Sequence, residues 1–154
     1  MRKLDGWLVL DGYEDEPAAF GVPNYVGFHI RYICGVLEER GIEYTYMTVD
    51  EWRRLFKSEL TTLEGRKNVR ERMGELDGAI LLAGAVVPGK YIRGTPISRG
   101  ETDSFLSSIP SRIPVICGGW AIRHWRQSGW ASPRSNFFCS LKDVDATLNH
   151  FLST

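Results

Sequence analysis

With 154 residues, the chain is long enough for one domain that buries a sizeable core without disulfides or metals. Its 19 basic and 19 acidic residues balance, which excludes a global field that attracts nucleic acid or an anionic membrane. Three cysteines without metal-site spacing, and an amino terminus without a signal-peptide or membrane-spanning stretch, predict a cytoplasmic protein with one domain over residues 1–154.

The first half of the chain predicts three strands with helices between them. The apolar run 7–10 is the first strand, and a loop rich in Gly, Pro and acidic residues leads from it to a helix over 25–40. A second strand is expected at 44–49, with Thr48 or Asp50 as the cap of the next helix, which begins at residue 51. Residues 57–76 predict an exposed helical segment that Gly65 divides, and the wholly apolar stretch 79–83 predicts a central parallel strand.

The second half continues this alternation. After a long loop over 84–97, the sequence Ser98-Arg99-Gly100-Glu101 has the spacing of a capping box and predicts a helix start. The fourth strand is expected at 113–117, and it leads through Gly118-Gly119 into a further helix. A fifth strand is predicted at 136–139, before a final helix that Ser140 caps.

Five strands that alternate with helices predict an α/β fold, a three-layer, doubly wound parallel sheet in the flavodoxin-like order 2-1-3-4-5. Open sheets of this kind bind ligands at the carboxyl edge, where the strand order reverses. Here that point lies between strands 1 and 3, so the loops 11–24 and 84–97 should face each other across one crevice. The candidate binding residues are Asp11, Gly12, Tyr13 and Glu16 on one wall, Arg93, Gly94, Thr95 and Ser98 on the other, and Gly118 and Gly119 beside them.

Each of these features also has a purely structural interpretation. The acidic residues 11–16 could take part in acid–base chemistry or bind a cation, or they could form a solvated loop in which Asp11 caps backbone N–H groups. No second carboxylate group completes a metal site. The cations and hydroxyls of 90–98 could hold a phosphate or carboxylate, or Ser98 could be an ordinary cap. Gly118-Gly119 could admit a ligand or only permit a tight turn.

The segment 120–134 mixes three tryptophans with basic residues. Such a mixture can stack on single-stranded nucleic acid, but it is more typical of an amphipathic helix with inward aromatic residues or of a docking face for another domain. The three histidines have no partners at metal-ligand spacing, and no serine lies in a G-x-S-x-G motif, so the sequence does not support hydrolase chemistry.

Several motifs in these loops are similar to those of a known module. The chain resembles the N-terminal cobalamin-binding-like domain of archaeal radical S-adenosylmethionine (radical SAM) proteins. The similar motifs span most of the chain: Leu10-Asp11-Gly12-Tyr13, Asp15-Glu16-Pro17, Gly21-Val22-Pro23, Tyr25, Arg31-Tyr32, Gly35, Gly89-Lys90-Tyr91, Arg93-Gly94-Thr95-Pro96-Ile97-Ser98 and Gly118-Gly119.

The resemblance implies a Rossmann-like accessory domain that precedes a radical SAM barrel, where a C-x-x-x-C-x-x-C motif holds a [4Fe–4S] cluster and S-adenosylmethionine. This chain has no such motif, so we expect it not to perform radical chemistry by itself. Cobalamin domains typically carry Asp-x-His-x-x-Gly after strand 1, whereas Tyr13 stands two residues after Asp11 and no histidine precedes His29. Cobalamin would therefore bind without that axial ligand, with its nucleotide tail beside Gly118-Gly119.

Three functions follow as hypotheses. The first is an accessory module that binds a cofactor or a small-molecule substrate in the crevice and works with a radical SAM barrel. The second is a small enzyme that acts on a phosphorylated or carboxylated metabolite, with Arg93 holding the anion and Asp11 or Glu16 as the base. The third is an interaction domain whose contact surface contains Trp120, Trp125 and Trp130. Binding of nucleic acid is not expected.

Overall fold

The computed structural model describes residues 4–12, 28–83, 96–132 and 141–152. Within these ranges, each strand is followed by one or two helices, with a short 3₁₀ turn at Glu59–Thr61. The strands are β1 (Trp7–Asp11), β2 (Tyr44–Thr48), β3 (Gly78–Leu82) and β4 (Val115–Gly118). The helices are α1 (Phe28–Glu39), α2 (Val49–Phe56), α3 (Leu63–Met73), α4 (Arg99–Ser108), α5 (Trp120–Gln127) and α6 (Leu141–Leu152).

The strands form a four-stranded parallel sheet in the order β2-β1-β3-β4. Strand β1 therefore lies between β2 and β3, with Val9 opposite both Tyr46 and Ile80. The chain leaves β1 towards one edge of the sheet and leaves β3 towards the other. This confirms the α/β class and the predicted order of the first four strands, including the reversal between strands 1 and 3.

Helices cover both faces of the sheet because alternate residues of each strand point to opposite sides. Helices α1 and α6 cover the face of Trp7 and Val9, while α2 to α5 cover the face of Leu8 and Leu10. The central strand β3 is buried at every position, as its uniformly apolar sequence predicts. Arg40, just after α1, forms an ion pair with Asp145 of α6 and ties these two helices together.

The described boundaries correct three local predictions. Thr48 is the cap of α2, so this helix begins at Val49 rather than at residue 51, and the Thr48 hydroxyl accepts from the Glu51 N–H at 3.3 Å. Strand β4 begins at Val115 rather than at residue 113, because Pro114 has no N–H to donate to the ladder. Strand β3 begins and ends one residue earlier than predicted.

Gly65 does not divide the segment 57–76, and that prediction is wrong. The break falls at Thr62, which caps α3 by accepting from the Gly65 N–H at 3.0 Å. Gly65 lies in the first turn of α3 and is buried, and a Cβ there would collide with the carbonyl oxygen of Glu59. Most other residues of the segment are exposed, as expected, but Val69 and Met73 are fully buried.

Some predicted elements lie outside the described residues. They are residues 25–27 of the first helix, the fifth strand at 136–139 and the cap Ser140. Among the described helices, none combines the length and the apolar character that crossing a membrane requires.

Gly35 in α1 gives a first testable prediction. It is exposed, and no atom lies within 4 Å of the position that a Cβ would occupy. Glycine inside a helix costs roughly 0.5–1 kcal/mol relative to alanine, because it loses more backbone freedom on folding. We expect Gly35→Ala to raise the free energy of unfolding by about that amount in urea denaturation. A lower stability of the variant would show that the position is constrained by something other than the helix itself.

Candidate functional site

The carboxyl ends of β1, β3 and β4 are joined by hydrogen bonds beyond the strands themselves. The Gly12 N–H donates to the Leu82 carbonyl at 2.7 Å, and the Ala83 N–H donates to the Gly118 carbonyl at 2.8 Å. The three strand ends therefore lie side by side at one edge of the sheet. This edge is the candidate site, and we call it the crevice edge.

The chain returns to the crevice edge at residues 96–98. The Ile97 N–H donates to the Gly12 carbonyl at 2.8 Å, so the backbone that precedes α4 lies directly against the end of β1. Ile97 is also buried in the core, which fixes this return point. The end of β1 and the segment that precedes α4 thus meet at the same edge of the sheet.

Gly12 is required at this edge for steric reasons. A Cβ at that position would lie 2.5 Å from both the Leu82 carbonyl oxygen and the Ile97 Cγ2. Contacts this short are not found for real side chains, so a larger residue would push β1, β3 and the 96–98 segment apart. The glycine thus explains how two chain segments approach the end of β1 so closely.

Asp11 is the buried carboxylate of the crevice edge. It is the last residue of β1, and only 5% of its surface is exposed. The Tyr46 hydroxyl, on the neighbouring strand β2, donates to Asp11 Oδ2 at 2.8 Å. A buried carboxylate needs such donors, because burial without hydrogen bonds costs several kcal/mol. Asp11 can serve as a hydrogen-bond acceptor or a base whose orientation the tyrosine controls.

Ser98 begins α4 through a complete capping box. Its hydroxyl accepts from the Glu101 N–H at 3.1 Å, and its own N–H donates to Glu101 Oε1 at 3.1 Å. This confirms the capping box read from the sequence. The N-terminus of α4 already holds the chain's own carboxylate, and the Ser98 hydroxyl takes the structural role that was the alternative to anion binding.

Arg53 of α2 connects this cap to the rest of the protein. Its Nε donates to Glu101 Oε2 at 2.7 Å, and its Nη2 donates to Glu101 Oε1 at 2.9 Å and to the Pro96 carbonyl at 3.3 Å. Asp50 accepts from Arg53 Nη1 at 3.3 Å. We call Arg53, Pro96, Ser98 and Glu101 the clasp, because together they hold the return segment 96–98.

The clasp predicts a pH dependence of stability. The hydrogen bond from Arg53 lowers the pKa of Glu101 from 4.5 to about 2, with further help from the Ser98 N–H and against the opposing effect of burial. Because the folded pKa lies below the unfolded one, Glu101 stabilises the fold above the unfolded value and loses this contribution as the pH falls towards 2. We expect Glu101→Gln to be less stable than the wild type at neutral pH.

The measurement is urea denaturation of the wild type, Arg53→Met, Glu101→Gln and the double variant between neutral pH and roughly pH 2. The coupling energy between the two residues should shrink as the solution becomes more acidic. A coupling energy that stays constant over this range contradicts the assignment of the ion pair.

Cys34 and Tyr44 lie on the face of the sheet that α1 covers, and Tyr44 begins β2 opposite Trp7, at the end of the strands away from the crevice edge. The Tyr44 hydroxyl donates to Glu38 Oε1 at 2.6 Å, which raises the pKa of Tyr44. Burial is the main cause that raises the pKa of Cys34, with the charges of Glu38 and Asp11 adding to it and a hydrogen bond with Tyr44 opposing it. The thiol stays protonated at neutral pH, which favours a structural role over a nucleophilic one.

Gly119 allows β4 to end against β3. Its φ angle is 106°, and a Cβ at this position would collide with the Ala83 carbonyl oxygen. Gly119 is therefore explained by the close approach of two backbones and by the turn into α5. This is the structural interpretation left open by the sequence.

The tryptophans after β4 pack into the protein where they are described. Trp130 is buried, its Nε1 donates to Asp103 Oδ1 at 2.9 Å, and its ring meets that of Trp125 edge to face, with 5.8 Å between the centroids. Trp125 is partly buried against the same core cluster. The hypothesis of a contact surface made of exposed tryptophans is wrong for Trp130, because this side chain is buried.

Of the ten candidate binding residues, the structure describes half. Asp11, Gly12, Ser98, Gly118 and Gly119 all lie at or next to the crevice edge. Within the described ranges, no group of three or more His, Cys, Asp or Glu side chains is placed to hold a metal ion. The candidates outside the described residues are Tyr13, Glu16, Arg93, Gly94 and Thr95.

The sequence reading missed Tyr46 and Arg53. Tyr46 reads as an ordinary strand residue and Arg53 as an exposed charge of a helix, so neither has a local signal for its role. Strand alternation and the adjacency of β1 and β2 place Tyr46 on the same face as Asp11, which the predicted strand order could have shown. Nothing local predicts the reach of Arg53 to a residue 48 positions later.

Two archaeal proteins are similar to part of the chain. An uncharacterized protein of Archaeoglobus fulgidus is 40% identical over 93 residues, which are 60% of this chain and 16% of that protein. An uncharacterized protein of Methanocaldococcus jannaschii is 35% identical over 99 residues, 64% of this chain and 16% of that protein. No family model matches the chain, and no solved structure matches it significantly. The shared region thus covers about one sixth of each relative.

Proposed function

We propose that the chain is an accessory module that binds a cofactor or small-molecule substrate at the crevice edge and is not catalytic alone. The observation that carries this proposal is the hydrogen bond from Ile97 to Gly12 at the reversal of strand order. It brings the return segment of the second loop against the end of β1. Ligands of open α/β sheets bind at such a point.

The buried carboxylate of the crevice edge supports this proposal. Asp11 is held by Tyr46 at the carboxyl end of a central strand, where a core residue would ordinarily be apolar. A polar group kept there at the cost of desolvation is typical of a site that orients a ligand.

We also propose that residues 136–139 add a fifth strand beside β4, which would complete the order 2-1-3-4-5. The position of α6 supports this, because α6 packs against α1 on the face opposite α4, as the helix after a fifth strand does in the flavodoxin-like arrangement. Backbone chemical shifts typical of a strand at 136–139, with cross-strand contacts to Ile116, are the expected result. Helical shifts there contradict the five-stranded sheet.

The resemblance to radical SAM proteins suggests the larger context of the module. The relatives extend far beyond the region that they share with this chain, as expected for an accessory domain of a larger protein. A [4Fe–4S] cluster and S-adenosylmethionine would belong to a separate barrel domain, in the same chain or in another, because the three cysteines here do not form a cluster motif.

Cobalamin is the cofactor that the resemblance implies for the module itself. The residues of the chain do not fit the usual binding mode, because no histidine precedes His29 and none can replace the axial ligand after strand 1. Gly119 is required by its contact with Ala83, so it is not by itself a sign of a nucleotide tail. Binding would have to rely on the crevice alone.

A titration of the ¹⁵N-labelled chain with hydroxocobalamin tests the proposal. Cobalamin bound in the crevice would shift the amide signals of Gly12, Ala83, Ile97 and Gly119. No change at high micromolar cobalamin rules out this cofactor. Shifts confined to α3, on the outside of the fold, contradict the crevice as the ligand site.

The hypotheses of a small enzyme and of an interaction domain stay predictions. An enzyme acting on an anionic metabolite depends on Arg93, which lies outside the described residues, and on Asp11 as the base. In the described part of the crevice edge, the cation of Arg53 is already paired with Glu101 and Asp50. An interaction domain would need a surface other than Trp130, which is buried.

A further inference from the structure

The return segment 96–98 is held at three consecutive residues. The Pro96 carbonyl accepts from Arg53, the Ile97 N–H donates to Gly12, and the Ser98 N–H donates to Glu101. Two of these three bonds belong to the clasp, and the third is the bond that brings the segment to β1. The geometry of the crevice edge therefore depends on Arg53 and Glu101, which belong to neither β1 nor β3.

Arg53 is the part of the clasp that comes from outside the segment and its helix. It lies on α2, which begins directly after β2, so its guanidinium links the β2 side of the molecule to the start of α4. Its side chain is 18% exposed, and that of Glu101 is 23% exposed, so water screens this ion pair less than a surface pair.

The guanidinium has the shape that this position requires. Its planar fork gives two bonds to the Glu101 carboxylate while the same group also reaches the Pro96 carbonyl and Asp50. A lysine ammonium is a point charge and cannot reproduce a two-bond contact with a carboxylate while it reaches two other acceptors. The position is thus specific for arginine rather than for positive charge.

Glu101 transmits the effect of Arg53 to the backbone. Its Oε1 accepts from both Arg53 Nη2 and the Ser98 N–H, so the same oxygen closes the ion pair and the capping box. Removal of Arg53 leaves Glu101 free to turn away from Ser98. The start of α4 and the adjacent Ile97 then lose part of their restraint.

We propose that Arg53 is a positioning residue of the crevice edge: it holds the return segment 96–98 against Gly12 and thereby sets the spacing of the ligand site. The inference rests on the proposed function for its importance, since a held segment matters only if a ligand binds beside it. Its structural content does not require any ligand, and this makes the two proposals separable by experiment.

Native-state hydrogen exchange of the full ¹⁵N-labelled chain tests the role of Arg53. Amides of β3 report global unfolding, whereas the amide of Ile97 also reports local opening of the return segment. In Arg53→Met, we expect the Ile97 amide to exchange about tenfold faster relative to the β3 amides than in the wild type, because a charge-assisted contact is lost. Arg53→Lys should fall between the wild type and Arg53→Met.

Arg70→Met is the matched control. Arg70 also donates to a backbone carbonyl of α4, that of Ser107 at 3.0 Å, but at the end of the helix away from the crevice edge. We expect no change in the ratio of Ile97 exchange to β3 exchange in this variant. The comparison separates a specific effect on the return segment from a general effect of removing an arginine.

Equal acceleration of the Ile97 and β3 amides in Arg53→Met means that Arg53 only stabilises the whole fold, and this result overturns the inference. Complete rescue by Arg53→Lys contradicts the requirement for a guanidinium at this position, because charge alone would then suffice. If the local effect is found but hydroxocobalamin does not bind, the positioning role stands and only the proposed cofactor is lost.

Discussion

Gly119→Ala is expected to lower the free energy of unfolding by about 2–4 kcal/mol, from backbone strain combined with a steric clash. At a φ of 106°, an L-residue is strained whatever space surrounds it. In addition, the new Cβ would collide with the Ala83 carbonyl oxygen, and Ala83 is bonded through its N–H to Gly118. Relief of the clash therefore requires separation of the ends of β3 and β4.

The effect is measured by urea denaturation, with Gly100→Ala as the control. Gly100 is exposed in the first turn of α4, and no atom lies within 4 Å of its missing Cβ. The control should change stability by no more than about 0.5–1 kcal/mol, and in the stabilising direction. If Gly119→Ala proved as stable as the wild type, the contact between the ends of β3 and β4 would have to be rejected.

Phe105→Ala is expected to cost roughly 3–5 kcal/mol, as is usual when a fully buried aromatic side chain is removed. Phe105 has no exposed surface, and its ring meets that of Trp52 edge to face, with 5.1 Å between the centroids. Trp52 in turn packs against Phe56, so the substitution opens a cavity in the core cluster that α2 and α4 share. The loss includes both the buried area and the ring–ring contact.

This substitution should also loosen the crevice edge, because Phe105 and Ser98 belong to the same helix. Urea denaturation gives the change in stability, and the chemical shift of the Ile97 amide reports the effect on the return segment. Leu63→Ala is the control, since Leu63 is 83% exposed and its removal should change stability by no more than about 0.5 kcal/mol. A loss below about 1 kcal/mol for Phe105→Ala contradicts the packing of α4 against α2.

Local sequence patterns predicted a strand or a helix start correctly where a few neighbouring residues determine it. The uniformly apolar stretch around Ile80 gave a central strand, and Ser98 with Glu101 gave a helix start. Strand β4 begins after Pro114, because proline lacks the N–H that a strand residue donates. The prediction followed the apolar pattern and placed the start of this strand before the proline. Gly65 was misread because a buried glycine and a helix-breaking glycine look the same in a sequence.

The candidate site was predictable only in part. The apolar runs placed the ends of the first and fourth strands one residue before Asp11 and Gly118, where β1 and β4 end, and the flavodoxin-like arrangement gave the reversal of strand order. The roles of Tyr46 and Arg53 did not follow, because each acts on a residue far away in the chain. The role of such a side chain cannot be predicted from its neighbours in the sequence, because its partner is known only from the fold.

The sequence by itself determined the α/β class and the capped start of α4, because hydrophobic period and capping chemistry act between residues close in the chain. Only the tertiary structure decided that Gly119 meets Ala83 and that Arg53 holds the segment before α4. The physical reason is that these contacts depend on how separate elements pack, and packing is a property of the whole fold.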